Sequence, residues 1–170
     1  MKRKGENMKK PFIILLFTLS LFLLVGCDFF APEAKEFTGS GITITLTEEF
    51  VLTETVMAPF YLTSLDDIFM GMRESKTEFV DTAITSLQDY AEAVLEFGGY
   101  SGYTVNNAEE GYNYVYAYYS ASVEDIDYGY MLICMESDNY YYLMNLGCLN
   151  SNLEDSKDQY IEWANSIIVE

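Results

Sequence analysis

Apolar and polar residues alternate strictly along Ile42-Thr43-Ile44-Thr45-Leu46, so one face of an extended segment carries Ile42, Ile44 and Leu46. That pattern predicts a half-buried strand. Thr47-Glu48-Glu49 should turn the chain, and Phe50 to Thr53 reads as a second short strand. Phe60 to Thr63 and Ile68 to Arg73 read as a hairpin around Ser64-Leu65-Asp66-Asp67, with Pro59 at the strand start, where its missing donor does little harm.

The period then changes. Leu87, Tyr90, Ala91, Val94 and Leu95 recur at helical spacing and predict a helix over Thr85 to Phe97. Thr85 with Gln88 offers a capping box, and Gly98-Gly99 offers the positive φ that ends a helix. A second helix is expected from about Asn152 to Ile167, with a capping box between Ser151 and Glu154. Its inner stripe would be Leu153, the stem of Lys157, Tyr160, Ile161, Ala164 and Ile168, with Trp163 at the margin.

Three long strands are expected between the helices. Tyr112 to Ser120 alternates so that Tyr112, Tyr114, Tyr116 and Tyr118 share one face, with Val115, Ala117 and Tyr119 on the other. Tyr128 to Glu136 and Tyr140 to Cys148 are apolar on both faces, as in a sheet covered on both sides. A two-residue turn at Asp138-Asn139 sets Ser137 opposite Tyr140 and Cys134 opposite Leu143. Cys148 then falls about 16 Å from Cys134 along the strands and on the opposite face. A disulfide spans no more than about 7 Å between Cα atoms, so two free, buried thiols are expected.

The N-terminus has a different organisation. Lys2, Arg3, Lys4, Lys9 and Lys10 precede an apolar run from Pro11 to Val25, closed by Gly26 and Cys27. Basic, apolar and small zones in that order read as a secretory signal, and Met8 opens a more compact version of it. The run of about 15 residues is shorter than the roughly 20 that cross a bilayer as a helix. Leu24-Val25-Gly26-Cys27 resembles the bacterial lipobox. The resemblance implies a diacylglycerol on the Cys27 thiol, cleavage before Cys27, and a place on the extracytoplasmic face of the bacterial cell membrane. The expected division is therefore a signal over 1–26, a lipidated tether over 27–36 and a single globular domain over 37–170. Phe29 and Phe30 of the tether could dip into the lipid interface.

Composition sharpens this picture. The whole chain carries a net charge of −18, but five of nine basic residues and one of 27 acidic ones precede Cys27. Four basic against 26 acidic residues remain, a net −22. Such a chain is repelled by phosphate backbones, which excludes nucleic acid as a partner. High apolar and aromatic content argues against disorder.

The order of short strands, capped helix, three long strands and terminal helix resembles the PsbP-like superfamily, which includes lipoproteins of the LpqN type. The stretches that carry the resemblance are Gly41 to Thr47, Ser86-Leu87-Gln88-Asp89-Tyr90-Ala91, Tyr140 to Leu149 and Ala164-Asn165-Ser166-Ile167-Ile168-Val169. It implies an α+β fold, an antiparallel sheet flanked by helices as an α/β/α sandwich, and a non-enzymatic binding or assembly role.

No residue set carries recognisable catalysis. Histidine is absent, which removes Ser-His-Asp and Cys-His chemistry and most zinc sites. Gly98-Gly99-Tyr100-Ser101-Gly102 follows a helix rather than opening one, so it does not read as a phosphate cradle. Glu124-Asp125-Ile126-Asp127 fails as an EF-hand because Tyr130 stands where a glycine is required. It reads as a strand-connecting turn, with an irregular calcium site as the alternative. Asp66-Asp67 and Glu109-Glu110 read as solvated turns. No cofactor or metal is expected. Tyr112, Tyr114, Tyr116 and Tyr118 remain, either as a core wall or as an open aromatic face for an envelope protein or glycan. The function expected is a membrane-anchored, non-catalytic binding or assembly module; the alternative is an acidic calcium-binding surface protein.

Overall fold

A computed structural model describes residues 32–56 and 58–170. The basic head, the apolar run, Cys27 and the tether up to Ala31 lie outside the described residues. Ala34–Glu170 is one compact unit.

The strict alternation at the start of this unit forms β2 (Ile42–Thr47), with Ile42, Ile44 and Leu46 fully buried and the threonines between them partly exposed. It pairs with β1 (Ala34–Gly39) through a two-residue turn in which Ser40 and Gly41 both have positive φ. Strands are twisted right-handedly, and this mirror-image turn matches that twist. The strand corrects one boundary: Ala34, Lys35 and Glu36, expected in the tether, pair with Thr47, Leu46 and Thr45.

The main sheet is antiparallel and seven-stranded. Its members are β3 (Val51–Leu52), β4 (Phe60–Thr63), β5 (Ile68–Ser75), β6 (Asn106–Asn107), β7 (Val115–Val123), β8 (Ile126–Glu136) and β9 (Tyr140–Leu149), in the order β3-β4-β5-β9-β8-β7-β6. The expected β4–β5 hairpin forms, and the Ser64 hydroxyl accepts from Asp67 N at 3.0 Å across its turn. Glu124 and Asp125 are the two positive-φ residues joining β7 to β8, so this acidic stretch is a hairpin turn. At Asp138-Asn139 the expected register holds, with Cys134 opposite Leu143. Cys134 and Cys148 are both free and buried, in clusters on opposite faces of the sheet. β7 starts later than the tyrosine alternation suggests, at Val115 rather than Tyr112.

α1 (Leu87–Phe97) buries Tyr90, Ala91 and Leu95, as its periodicity predicts. Its capping box is displaced by one residue from Thr85 and Gln88. Ser86 is the cap and accepts from Asp89 N at 3.1 Å, while the Asp89 carboxylate accepts from Thr85 N and Oγ1 at 3.0 and 2.8 Å. An anion in the first turn meets the positive end of the helix dipole, which neutral Gln88 could not exploit. At the other end Tyr100 N donates to Leu95 O and Gly99 N to Glu96 O, with Gly99 at φ +83°. This is a Schellman closure.

α2 (Leu153–Asn165) has no side-chain cap. The expected box fails: the Ser151 hydroxyl turns to Asn152, and Glu154 pairs with Lys157 at 2.6 Å. The buried stripe is Tyr160, Trp163 and Ala164, continued by Ile167. Trp163, expected at the margin, sits inside and meets the Phe50 ring edge-on at 5.4 Å. Ile168, expected inside, is exposed, because the helix has ended and the chain runs extended as β10 (Ile168–Val169), which pairs with β2. The Ser166 hydroxyl pins this exit by accepting from Thr45 N at 3.0 Å.

These elements make three layers. On one side of the large sheet lie α2 and the small β1-β2-β10 sheet, and on the other lies α1. The layers fit closely. A Cβ on Gly71 would meet Ile42 at 2.8 Å, and one on Gly129 would meet Leu153 at 2.7 Å. The architecture is the α+β sandwich expected from the order of elements.

Candidate functional site

The four tyrosines singled out from the sequence do not form an open face. Tyr114, Tyr116 and Tyr118 point to the α2 side, with successive ring centroids 6.0 and 5.6 Å apart. The Tyr114 hydroxyl donates to Asn165 Oδ1 at 2.9 Å, and the Tyr118 hydroxyl to the Lys157 carbonyl at 3.4 Å. The Lys157 ammonium lies 5.0 Å from the Tyr118 ring centre. Burial pushes the Tyr114 phenol up to about 12 and raises that of Tyr118 as well. The three are the wall on which α2 packs. Tyr112 precedes β7 and stays 44% exposed.

The other face of the sheet is different. Residues opposed in an antiparallel ladder share a face. Tyr119 is opposite Tyr130, Tyr130 opposite Gly147, and Gly147 opposite Ile68. The next rank is Ala117, Leu132, Asn145, Met70 and Tyr61, and the next Val115, Cys134, Leu143 and Met72. α1 packs over β7 and β8. Towards β9, β5 and β4 the cover stops, and Tyr61, Ile68, Met70, Met72, Leu143 and Asn145 are only half-buried.

A tyrosine ladder borders this open area. Tyr119 and Tyr130 stack at 5.1 Å, Tyr100 lies 4.7 Å from Tyr119, and the Tyr119 hydroxyl donates to Asn145 Oδ1 at 3.0 Å. The Tyr130 ring lies on Gly147, where an added Cβ would come within 2.6 Å of it. Burial raises the phenols of both Tyr119 and Tyr130. Pairing places the tyrosines here from different strands, so alternation within one strand could not reveal them. The available signal was the β7–β8 and β8–β9 registers taken together.

A groove of about 510 Å³ opens beside α1, lined largely by Phe79, Ile84, Val94, Phe97 and Leu143, with Tyr90 and Glu74 among its walls. The Tyr90 hydroxyl donates to Glu74 Oε2 at 2.6 Å. Burial and the Glu74 carboxylate raise the Tyr90 phenol far above its ordinary range, so it stays a donor. Tyr90 stacks on Tyr141 at 4.4 Å, and Phe79 meets both rings edge-on at 5.7 Å. Phe97 stands at the lip, 98% exposed. The arrangement is an aromatic floor with an apolar mouth.

The remaining candidates carry less. Among the described residues no three His, Cys, Asp or Glu side chains converge as metal ligands. Asp67, expected in a solvated turn, is half-buried and accepts from the Tyr160 hydroxyl at 2.6 Å, tying α2 to the β4–β5 turn. Its carboxyl is raised, chiefly by burial. Glu109 and Glu110 lie in the loop before β7. Among the described residues no helix is long and apolar enough to cross a membrane. Cys27 lies outside them.

No protein-family model matches the sequence, and no curated protein matches it. Solved structures do. Cyanobacterial PsbP (CyanoP) from Synechocystis sp. PCC 6803 superposes with a TM-score of 0.55 at 12% identity, over 84% of this chain and 96% of that one. The Ran-binding protein Mog1p of Saccharomyces cerevisiae gives 0.54 at 9% identity, over 82% and 96%. With a seven-stranded antiparallel sheet between two helical layers and superposition over nearly the whole of CyanoP, the described chain has the PsbP-like fold.

Proposed function

We propose that the chain is a non-catalytic binding module, held at the extracytoplasmic face of the cell membrane by lipid on Cys27, and that a protein partner docks on the α1 side of its sheet. The observation that carries this reading is the incomplete cover of that face, which leaves Tyr61, Met70, Met72 and Leu143 partly exposed on adjacent strands. Aromatic residues and methionine are enriched where proteins dock, because they offer large, adaptable contact area. The aliphatic and thioether character of the patch suits a protein better than a glycan. The sequence holds no histidine, so Ser-His-Asp and Cys-His chemistry are not available to it. The yeast protein of this fold is Ran-binding, which agrees with a fold that docks macromolecules. The lipobox-like Leu24-Val25-Gly26-Cys27 supports the anchor. The calcium reading has no comparable support, since its acidic stretch is a hairpin turn.

Photo-crosslinking tests the docking. A benzoylphenylalanine at Met70 of the full chain, on membranes of the producing cell, should yield a protein adduct. The same group at exposed Thr38 of β1 should not. Tyr61→Lys should reduce the Met70 adduct roughly tenfold, as charge insertion at an interface centre does. Equal adducts at both positions, or none at Met70, would sink the reading. For the anchor, Cys27→Ser should move the chain from the membrane to the soluble fraction.

A further inference from the structure

The groove beside α1 has a property that a simple apolar slot lacks: a carboxylate in its wall. Glu74 is fixed there by the Tyr90 hydroxyl at 2.6 Å. Among the described residues no cation pairs with it. The four basic residues of the described chain make their ion pairs or ring contacts with other groups. Arg73 lies 3.5 Å from Glu170, Lys157 2.6 Å from Glu154, and Lys35 lies over the Phe37 ring. Lys76 comes nearest, over the Tyr141 ring at 4.9 Å, but its ion pair is with Glu136 at 2.6 Å. The whole chain carries −18, so it holds a large surplus of anions. A fixed, unpaired carboxylate beside an apolar surface gains most from a ligand that brings both a cation and an aliphatic or aromatic body.

Resting on the docking reading above, we infer that this groove receives a segment of the protein partner in which a lysine or arginine is flanked by apolar residues. The cationic head meets the free lone pairs of Glu74, and the apolar flanks lie against Phe79, Val94, Leu143 and the fully exposed Phe97 ring. Phe97 explains itself in this way. A phenylalanine 98% exposed at a helix end gains nothing for the fold. The net negative field of the chain would also draw a basic segment in. An anionic lipid surface would be repelled by the same carboxylate.

Three labelled ten-residue peptides, read by anisotropy against the full chain in nanodiscs, test this. One has a single lysine between leucine and phenylalanine; the others carry norleucine or glutamate in its place. The lysine peptide should bind about tenfold more tightly than the norleucine peptide, the scale of one charge-assisted hydrogen bond, and the glutamate peptide should not bind. Glu74→Gln keeps an acceptor for Tyr90, so the fold should hold. It should bring the lysine peptide down to the norleucine level and leave the norleucine peptide unchanged. Phe97→Ser should weaken both. Equal binding of the lysine and norleucine peptides, or no response to Glu74→Gln, overturns the inference. If that happens while the Met70 adduct persists, only the cationic chemistry falls. If the Met70 adduct is also absent, the docking reading falls with it.

Discussion

The two faces of the seven-stranded sheet are built to different standards. On the α2 side, Phe60, Leu62, Phe69, Tyr142, Met144 and Leu146 lie fully buried under α2 and the small sheet. On the α1 side the buried cluster is confined to α1 and the strand positions beneath it, and the neighbouring positions of β4, β5 and β9 stay half-exposed. One face is closed along most of its strands, and the other is closed only beneath α1. Phe69 and Met70 are consecutive in β5 and test this most directly, because strand alternation puts them on opposite faces. Phe69→Ala removes a ring that is 0% exposed and packs edge-on against Phe60 at 5.4 Å. It should cost about 3–5 kcal/mol in denaturant melts. Met70→Ala should cost clearly less, since part of its side chain already meets water. Comparable losses would mean that the α1 side is also closed in solution.

The next effect concerns polar struts. The Tyr160 hydroxyl crosses from α2 to Asp67, and the Tyr90 hydroxyl joins α1 to Glu74. Tyr160→Phe should cost about 1–2 kcal/mol, because it leaves a half-buried carboxylate without its donor. Tyr90→Phe should cost less, since the groove lets water reach Glu74.

Asp67 adds a pH signature to the closed side. Burial raises its carboxyl above the ordinary 3.8, so the folded state holds the proton more tightly than the unfolded chain does. The contribution of this group is fully present below about 3.8 and is lost as pH rises through the higher folded value. Asp67→Asn keeps an acceptor and never ionises. It should therefore melt at a higher temperature than the parent at pH 7, with the difference closing as pH falls towards 3.8. A difference independent of pH would show that burial is not what raises Asp67.

Much of the closed side was legible in the sequence, and much of the open side was not. β2 announces itself because every second residue is aliphatic. The β8–β9 register follows from a short polar turn. Both signals are local. β1 gives no sequence signal because Ala34-Lys35-Glu36 has no apolar alternation: these residues are exposed and are held by the backbone edge of β2. β10 has two residues and no periodicity to read. Alternation does place Tyr114, Tyr116 and Tyr118 together, but only tertiary packing decides which face receives α2. Tyr119 and Tyr130 are eleven positions apart and meet only through the ladder. Glu74 and Tyr90 belong to different elements altogether.

α1 and α2 repeat the contrast at the smallest scale. α1 covers the weaker core and is secured by its own ends, with Ser86 and Asp89 at the start and Gly99 in the closure. α2 covers the stronger core and has no capping hydrogen bond from a side chain, because Tyr160, Trp163 and Ala164 hold it by burial. Where packing is thin, local sequence must supply the stability that tertiary contacts do not. Ser86→Ala should then cost about 1 kcal/mol, the usual loss for an N-cap. Ser151→Ala, at the serine that begins the failed box of α2, should stay within about 0.5 kcal/mol, as exposed surface changes do. Amide exchange sharpens the comparison. Ser86→Ala should speed exchange in the first turn of α1 and leave α2 unchanged, because end fraying is local. Equal penalties for the two serines would show that α1 is held by packing after all, and the open face beside it would then be more tightly covered than its half-buried side chains suggest.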